Sequence, residues 1–193
     1  MSGSEKEIEM AQVFAGRYTA ETDEPFVVFI IGMRVNRWWA LHKWIPVALA
    51  MGPMLKTLYQ HPEKGFLAGQ TFTNGRTIML AQYWRSFADL ERFARSKDDP
   101  HLGAWRRFNK AIGGDGSVGI FHETYQVQAG ASETVYVNMP IFGLASAFAH
   151  APVAGRRNTA RGRLGHPHTA AAAEAAKPDA AMDEVGAAGS RAS

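Results

Sequence analysis

GFLAGQTFTNGRTIMLAQYW, residues 65–84, is two strand-like runs joined at Thr73-Asn74-Gly75. Asn-Gly supplies the positive φ angles of a tight hairpin turn, and the flanking runs carry the β-branched and aromatic residues that suit a pleated strand. The stretch predicts an antiparallel hairpin, the strongest local signal in the chain. Upstream, PFVVFIIGMRV at 25–35 is nearly continuous in its apolarity and rich in Val, Ile and Phe, which predicts a central strand buried on both faces. Between the two lies NRWWALHKWIPVALAMGPMLKTLYQH. Asn36 is its candidate N-cap, and Pro46 and the Gly52-Pro53 pair are expected to kink the helix or divide it in two.

Downstream, Ser86-x-x-Asp89 resembles a capping box, and Phe87, Leu90, Phe93 and Ala94 give helical spacing on one face. A second short helix is predicted with Asp99 as cap and Pro100 at its first position. Leu102, Trp105, Phe108 and Ile112 form its core stripe, and Gly113-Gly114 stops it. VGIFHETYQV at 118–127 is the last strand of the unit. The order β-α-β-β-α-β predicts an α+β domain, a ferredoxin-like sheet with helices covering one face. Phe, Met, Trp and Tyr on the other face would leave too large an apolar patch on a monomer, so a homodimer closing into a dimeric α/β barrel is expected.

Composition bounds the rest. With 46% hydrophobic residues in 193, the chain can bury one sizeable core, and one domain is expected. The formal charge of +3 comes mostly from the tail, since residues 1–155 hold fifteen basic against fourteen acidic residues. No basic cluster marks the folded part, so nucleic acid is not an expected partner. The absence of cysteine removes disulfides, thiolate metal sites and cysteine nucleophiles, and fits a reducing compartment. The start, MSGSEKEIEM, is unlike a signal peptide, and the apolar stretches at 45–58 and 135–151 are broken by Pro and Gly, so a cytoplasmic protein without a membrane partner is expected. Residues 1–11 are read as a disordered N-terminus, 12–155 as the domain and 156–193 as a disordered tail of Ala, Gly, Arg, Pro and Ser. Within the domain, 129–155 offers a short strand and an apolar patch that wraps its own sheet or a partner's. GHPH, with His166 and His168, is given no role.

Successive side chains of a strand point to opposite faces, so His122 shares a face with Val118, Ile120 and Thr124, while Glu123 joins Phe121 and Tyr125. One of the pair faces an interior. His122 is read as facing the cavity as a general base, with Glu123 in a structural or rim role. An imidazole of ordinary pKa near about 6.5 suits proton removal at neutrality, and water-poor surroundings would lower it. The competing reading is a hydrogen-bonded histidine in a half-buried sheet. Arg34, Asn36, Arg37, Trp38, Trp39 and His42 set polar donors among large aromatics, as ligand pockets do. Against this, Trp38 and His42 lie four apart on one helical face, which also fits a core edge, and Arg34 could serve an ion pair. Tyr83 and Trp84 are adjacent on a strand and face opposite sides, so one of them lines the cavity. No GxGxxG, GxxxxGK[ST], HExxH or GxSxG occurs, so nucleotide cofactors are not expected, and the histidines show no linear metal motif.

The runs GMRVNRWWALHKWIPV, QYWRSFADLERFAR, HLGAWRRFNKAIG and VGIFHETYQV, with the trailing VYVNMPIFGLA, resemble small monooxygenase-like proteins of the dimeric α/β-barrel superfamily, over about residues 12–150. Relatives there include an antibiotic-biosynthesis-type monooxygenase of the fumagillin pathway. The resemblance implies the fold and three functions, because that superfamily holds cofactor-free oxygenases, haem proteins such as aldoxime dehydratases and chlorite dismutases, and non-catalytic members. The first is a small-molecule monooxygenase without cofactor, of secondary metabolism, acting with O2 on an apolar or aromatic, acidic phenol or enol. His122, Arg34 and Asn36 would be catalytic, the latter two holding the oxyanion, with Trp38, Trp39, His42, Tyr83 and Trp84 binding substrate. The second is a haem enzyme with His122 or His42 as iron ligand. The third is a non-catalytic binding barrel.

Overall fold

The computed structural model describes residues 12–96 and 114–164. In chain order these form β1 (Phe14–Glu21), β2 (Phe26–Val35), α1 (Leu41–Gln60), β3 (Phe66–Asn74), β4 (Thr77–Trp84), α2 (Phe87–Arg95), β5 (Val118–Val127), β6 (Tyr136–Met139), β7 (Ala149–Pro152) and α3 (Ala160–Arg163). Four strands make an antiparallel sheet in the order β3-β4-β2-β5. This is the ferredoxin-like arrangement: the hairpin β3-β4 docks beside β2, and β5 returns to the other side of β2. The helix expected at 99–113, with Trp105 and Phe108, lies outside the described residues.

The hairpin closes one residue later than Asn74-Gly75 suggests. Asn74 pairs with Thr77, leaving Gly75-Arg76 as the loop, and Gly75 takes φ +52°. Only the glycine needs the left-handed region, so Asn74 remains a strand residue.

α1 departs further from expectation. It runs unbroken through Pro46 and Pro53, and Ala40, not Asn36, precedes its first turn. Asn36 instead donates its side-chain amide to the Gly116 carbonyl at 3.0 Å, holding the connection to the base of β5. What keeps the helix whole across two prolines is tertiary packing of its inner face. That face contributes to two separate buried clusters. Leu58 packs with Val27, Phe66, Trp84, Leu90 and Phe93, backed by Phe29, Met54 and Leu55. Val47 packs with Met33, Val35 and Val118, backed by Trp44, Ala48, Ile78 and Ile120. Each fully buried large side chain stabilises by roughly 1.5–3 kcal/mol. α2 is capped as expected, with Ser86 Oγ accepting from the Asp89 N–H at 3.1 Å.

β1, absent from the expected order of elements, pairs with β6 and β7 in a second sheet of order β6-β1-β7. A bulge between Phe14 and Arg17, with Gly16 at φ +96°, breaks the alternation by which a strand is recognised. Residues 129–155 therefore complete this second sheet. It lies against the main sheet's helix-free face, where Phe26 meets Phe148 at 5.2 Å and Phe72 meets Phe142 at 5.9 Å between ring centroids. The boundary expected at residue 156 also moves. Arg157 pairs with Glu21 and Arg163 with Glu133, so the chain stays on the fold through residue 164. Specific ion pairs of this kind leave no trace in composition. Among the described residues no helix is long and apolar enough to cross a membrane.

Candidate functional site

Strand register sorts the ionisable groups of the main sheet by face. On β2, Val27, Phe29, Ile31, Met33 and Val35 point toward the helices, as the two clusters require. Residues directly opposite on neighbouring strands share a face. His122 is opposite Ile31 and therefore lies on the helix-covered side, with its ring 5.9 Å from that of Phe29. Arg34, Tyr83, Glu123 and Tyr125 all fall on the other side, opposite Gly119, Val28, Ile30 and Val28 respectively. His122 is the one ionisable side chain these four strands present to the helices. Ile31 and Phe29, half-buried between the two clusters, form the surface beside it.

This parity separates residues expected to act together. Arg34 cannot hold an oxyanion generated at His122, because the sheet lies between them. Arg34 instead donates to Thr77 Oγ1 at 3.3 Å. With Asn36, Arg76 and Trp38 it makes a cluster at the end of the sheet. Arg76 donates to the Asn36 carbonyl at 3.3 Å and lies over the Trp38 ring at 5.9 Å, and Trp38 meets Trp44 edge-on at 5.7 Å. Val35, at this end, pairs with Val118, four residues from His122, which is roughly 13 Å along a strand. Trp39 and His42 are exposed, the latter at the first turn of α1. Beneath them Asp115 takes Lys43 at 2.6 Å, and that ammonium, with the hydrogen bonds from Ser117, holds its carboxyl well below the usual range.

Trp84 is not a pocket residue. It is fully buried against Phe66 and Phe93, and its Nε1 donates to Gln82 Oε1 at 2.8 Å. Its neighbour Tyr83 faces the junction of the two sheets, near Gly143 and Tyr136, where burial and then the Tyr136 hydroxyl push its pKa up. There His150 stacks on Tyr18 at 4.5 Å. On the outer edge, Tyr125 donates to Glu123 at 2.5 Å, and this bond raises the phenol's pKa. Nor is His122 in the dry setting expected from Ile120, Phe121 and Tyr125. β5 is an edge strand and the ring is exposed; Phe121 and Tyr125 belong to the opposite face, where the Phe121 ring lies over Gly32.

No group of three or more His, Cys, Asp or Glu among the described residues could hold a metal ion. For haem, His122, with the Phe29 ring 5.9 Å from its own and Ile31 opposite, would be the residue to hold the group, although like His42 it is exposed. The odd-numbered spacing of Phe29 and Ile31 in β2 is the sequence signal for a shared face, and register sets that face beside His122.

Monooxygenase af470 of Aspergillus fumigatus is 28% identical over 151 residues, covering 67% of this chain and 53% of its own, so the chain spans about half the length of that relative. An aldoxime dehydratase structure superposes with a TM-score of 0.54 at 20% identity, covering 74% of this chain and 45% of the other. SnoaB, a cofactor-independent oxygenase from Streptomyces nogalater, gives a TM-score of 0.38 at 12% identity, covering 53% of this chain and 93% of its own. The profile of the Monooxygenase af470-like family matches residues 26–144, more than half of the chain and all four strands of the main sheet, and the chain belongs to that family.

Proposed function

We propose that the protein is a cofactor-independent monooxygenase acting on an apolar or aromatic small molecule with an acidic phenol or enol, of the kind secondary metabolism makes. The observation that carries this reading is the single imidazole on the helix-covered face, beside Phe29. In the proposal the substrate lies against Phe29 and Ile31, and His122 accepts its acidic proton. Thr124, the next side chain along that face, is placed to donate to the resulting oxyanion in the role first expected of Arg34 and Asn36. The electron-rich anion then gives an electron to O2 directly. A CH2 next to it becomes C=O, with one oxygen atom retained and the other leaving as water with the two hydrogens.

Trp38, Trp39 and His42 take no part in binding substrate in this reading, since they stand at the end of the sheet. Tyr83 and Trp84 are likewise left out, one facing the sheet junction and the other the core. The helix-free face, with half-buried Val28, Ile30, Met79 and Ala81, is proposed to pack on a second copy as a homodimer.

The test is turnover of a panel of polycyclic phenols and enols under 18O2, in chelator-treated buffer without reductant. One labelled oxygen per product and O2 uptake matching product are expected. Turnover that appears only after a flavin, haem or metal is added would reject the cofactor-free reading.

A further inference from the structure

α1 is apolar on both sides, and only its inner side is accounted for. On the outer side Leu41, Ile45 and Leu49 recur every four residues and form one stripe, with Leu41 51% and Leu49 70% exposed. Trp39, 78% exposed, and Trp38 extend it at the N-terminal end. Pro46, Gly52 and Pro53 are exposed on the same helix. The outer face of a helix packed on a sheet ordinarily carries charge. Here the whole run 25–62 contains no Asp or Glu, while Arg34, Arg37, Lys43 and Lys56 lie within it. Arg76 joins them over the Trp38 ring. Among the described residues Asp115 is the carboxylate at this end, 2.6 Å from Lys43 and 3.8 Å from Arg37. Arg34 and Arg76 bond only to a hydroxyl and a carbonyl among the described residues.

We infer that this stripe and its basic rim dock the protein on an anionic phospholipid surface. Each component has a matching layer in a bilayer: Trp at the headgroup level, Leu and Ile at the acyl boundary, Arg and Lys against phosphates. A second copy is the poorer occupant, because two basic rims would face each other across the contact. The attachment is peripheral, the helix lying in the interface plane. It would bring the sheet's catalytic face next to a phase in which apolar substrates dissolve, but the attachment stands whether or not His122 is the base.

Sedimentation of the full chain with vesicles tests this, using phosphatidylcholine alone and phosphatidylcholine with an equal part of phosphatidylglycerol. The protein is expected to pellet with the mixed vesicles, about tenfold less with phosphatidylcholine, and to be released by about 0.5 M salt, where screening shortens to a few Å. The double variant Leu41→Ser/Leu49→Glu and the single variant Arg37→Glu are each expected to lose about tenfold in vesicle binding. Arg37→Glu decides the matter if the double variant does not melt cooperatively. Equal pelleting with both vesicle types, no pelleting, or unchanged binding by Arg37→Glu would overturn the inference. So would light scattering that shows self-association abolished by Leu49→Glu, which would assign the stripe to a second copy.

Discussion

Replacing Trp84 distinguishes a core residue from a pocket residue, because the two roles differ by several kcal/mol in stability. The ring is fully buried, lies 5.6 Å from Phe66 and 5.5 Å from Phe93 between centroids, and its Nε1 satisfies buried Gln82 at 2.8 Å. Trp84→Ala removes the ring and opens a cavity, at about 3–5 kcal/mol. It also strands the Gln82 amide, at about 1–3 kcal/mol more. The sum reaches the lower end of whole-domain stability, about 5–15 kcal/mol, so this variant is expected to fold poorly or not at all. Trp84→Phe is the measurable case: it keeps most of the packing and loses the hydrogen bond, for about 2 kcal/mol. With a urea m-value of about 2 kcal/mol/M, the midpoint should fall by about 1 M at unchanged m. A Trp84→Phe midpoint within about 0.2 M of wild type would refute the hydrogen-bond argument, and a Trp84→Ala variant that folds with a near-wild-type midpoint would refute the packing argument and return Trp84 to the pocket.

Asp89 is buried and accepts from Arg85, Ser86 and Arg92, chiefly Arg85, which holds its carboxyl below the ordinary 3.8. A depressed carboxyl stabilises the fold above its unfolded pKa, and that contribution disappears as pH falls through the lower folded value. Asp89→Asn should therefore cost about 2 kcal/mol at pH 7 and progressively less below about pH 4 in urea titrations; a cost independent of pH would show that the charge is irrelevant. Freshly purified protein, and protein reconstituted with hemin, should lack a stoichiometric Soret band, and a band abolished by His122→Ala would establish the haem reading instead. Light scattering at micromolar concentration should return twice the 21.1 kDa chain mass, and Ile30→Glu on the helix-free face should halve it; a monomeric wild type would remove the homodimer.

Local signals carried much of the fold. Asn-Gly located the hairpin, Ser86-x-x-Asp89 located the start of α2, and alternation separated His122 from Glu123 and Tyr83 from Trp84. What alternation cannot supply is the relation between strands. Arg34 is opposite Gly119 and His122 opposite Ile31, so whether Arg34 shares a face with His122 depends on register, which is set in the folded sheet. The same holds for Tyr83 and Trp84, whose opposition was legible but whose inner member depends on which face the helices cover. β1 was missed because its bulge at Gly16 breaks the pattern. The exposure of His122 follows from β5 being an edge strand, a property of topology that no single stretch encodes.

The most direct measurement is steady-state turnover of His122→Ala, beside Arg34→Ala, on whichever phenol or enol the wild type oxidises. His122→Ala should lower kcat/KM by about 100-fold or more with an unchanged melting temperature, while Arg34→Ala, on the other face of the sheet, should stay within about threefold of wild type. A folded His122→Ala protein with full activity, or a larger loss from Arg34→Ala than from His122→Ala, would contradict the assignment of the base and of the face on which the reaction occurs.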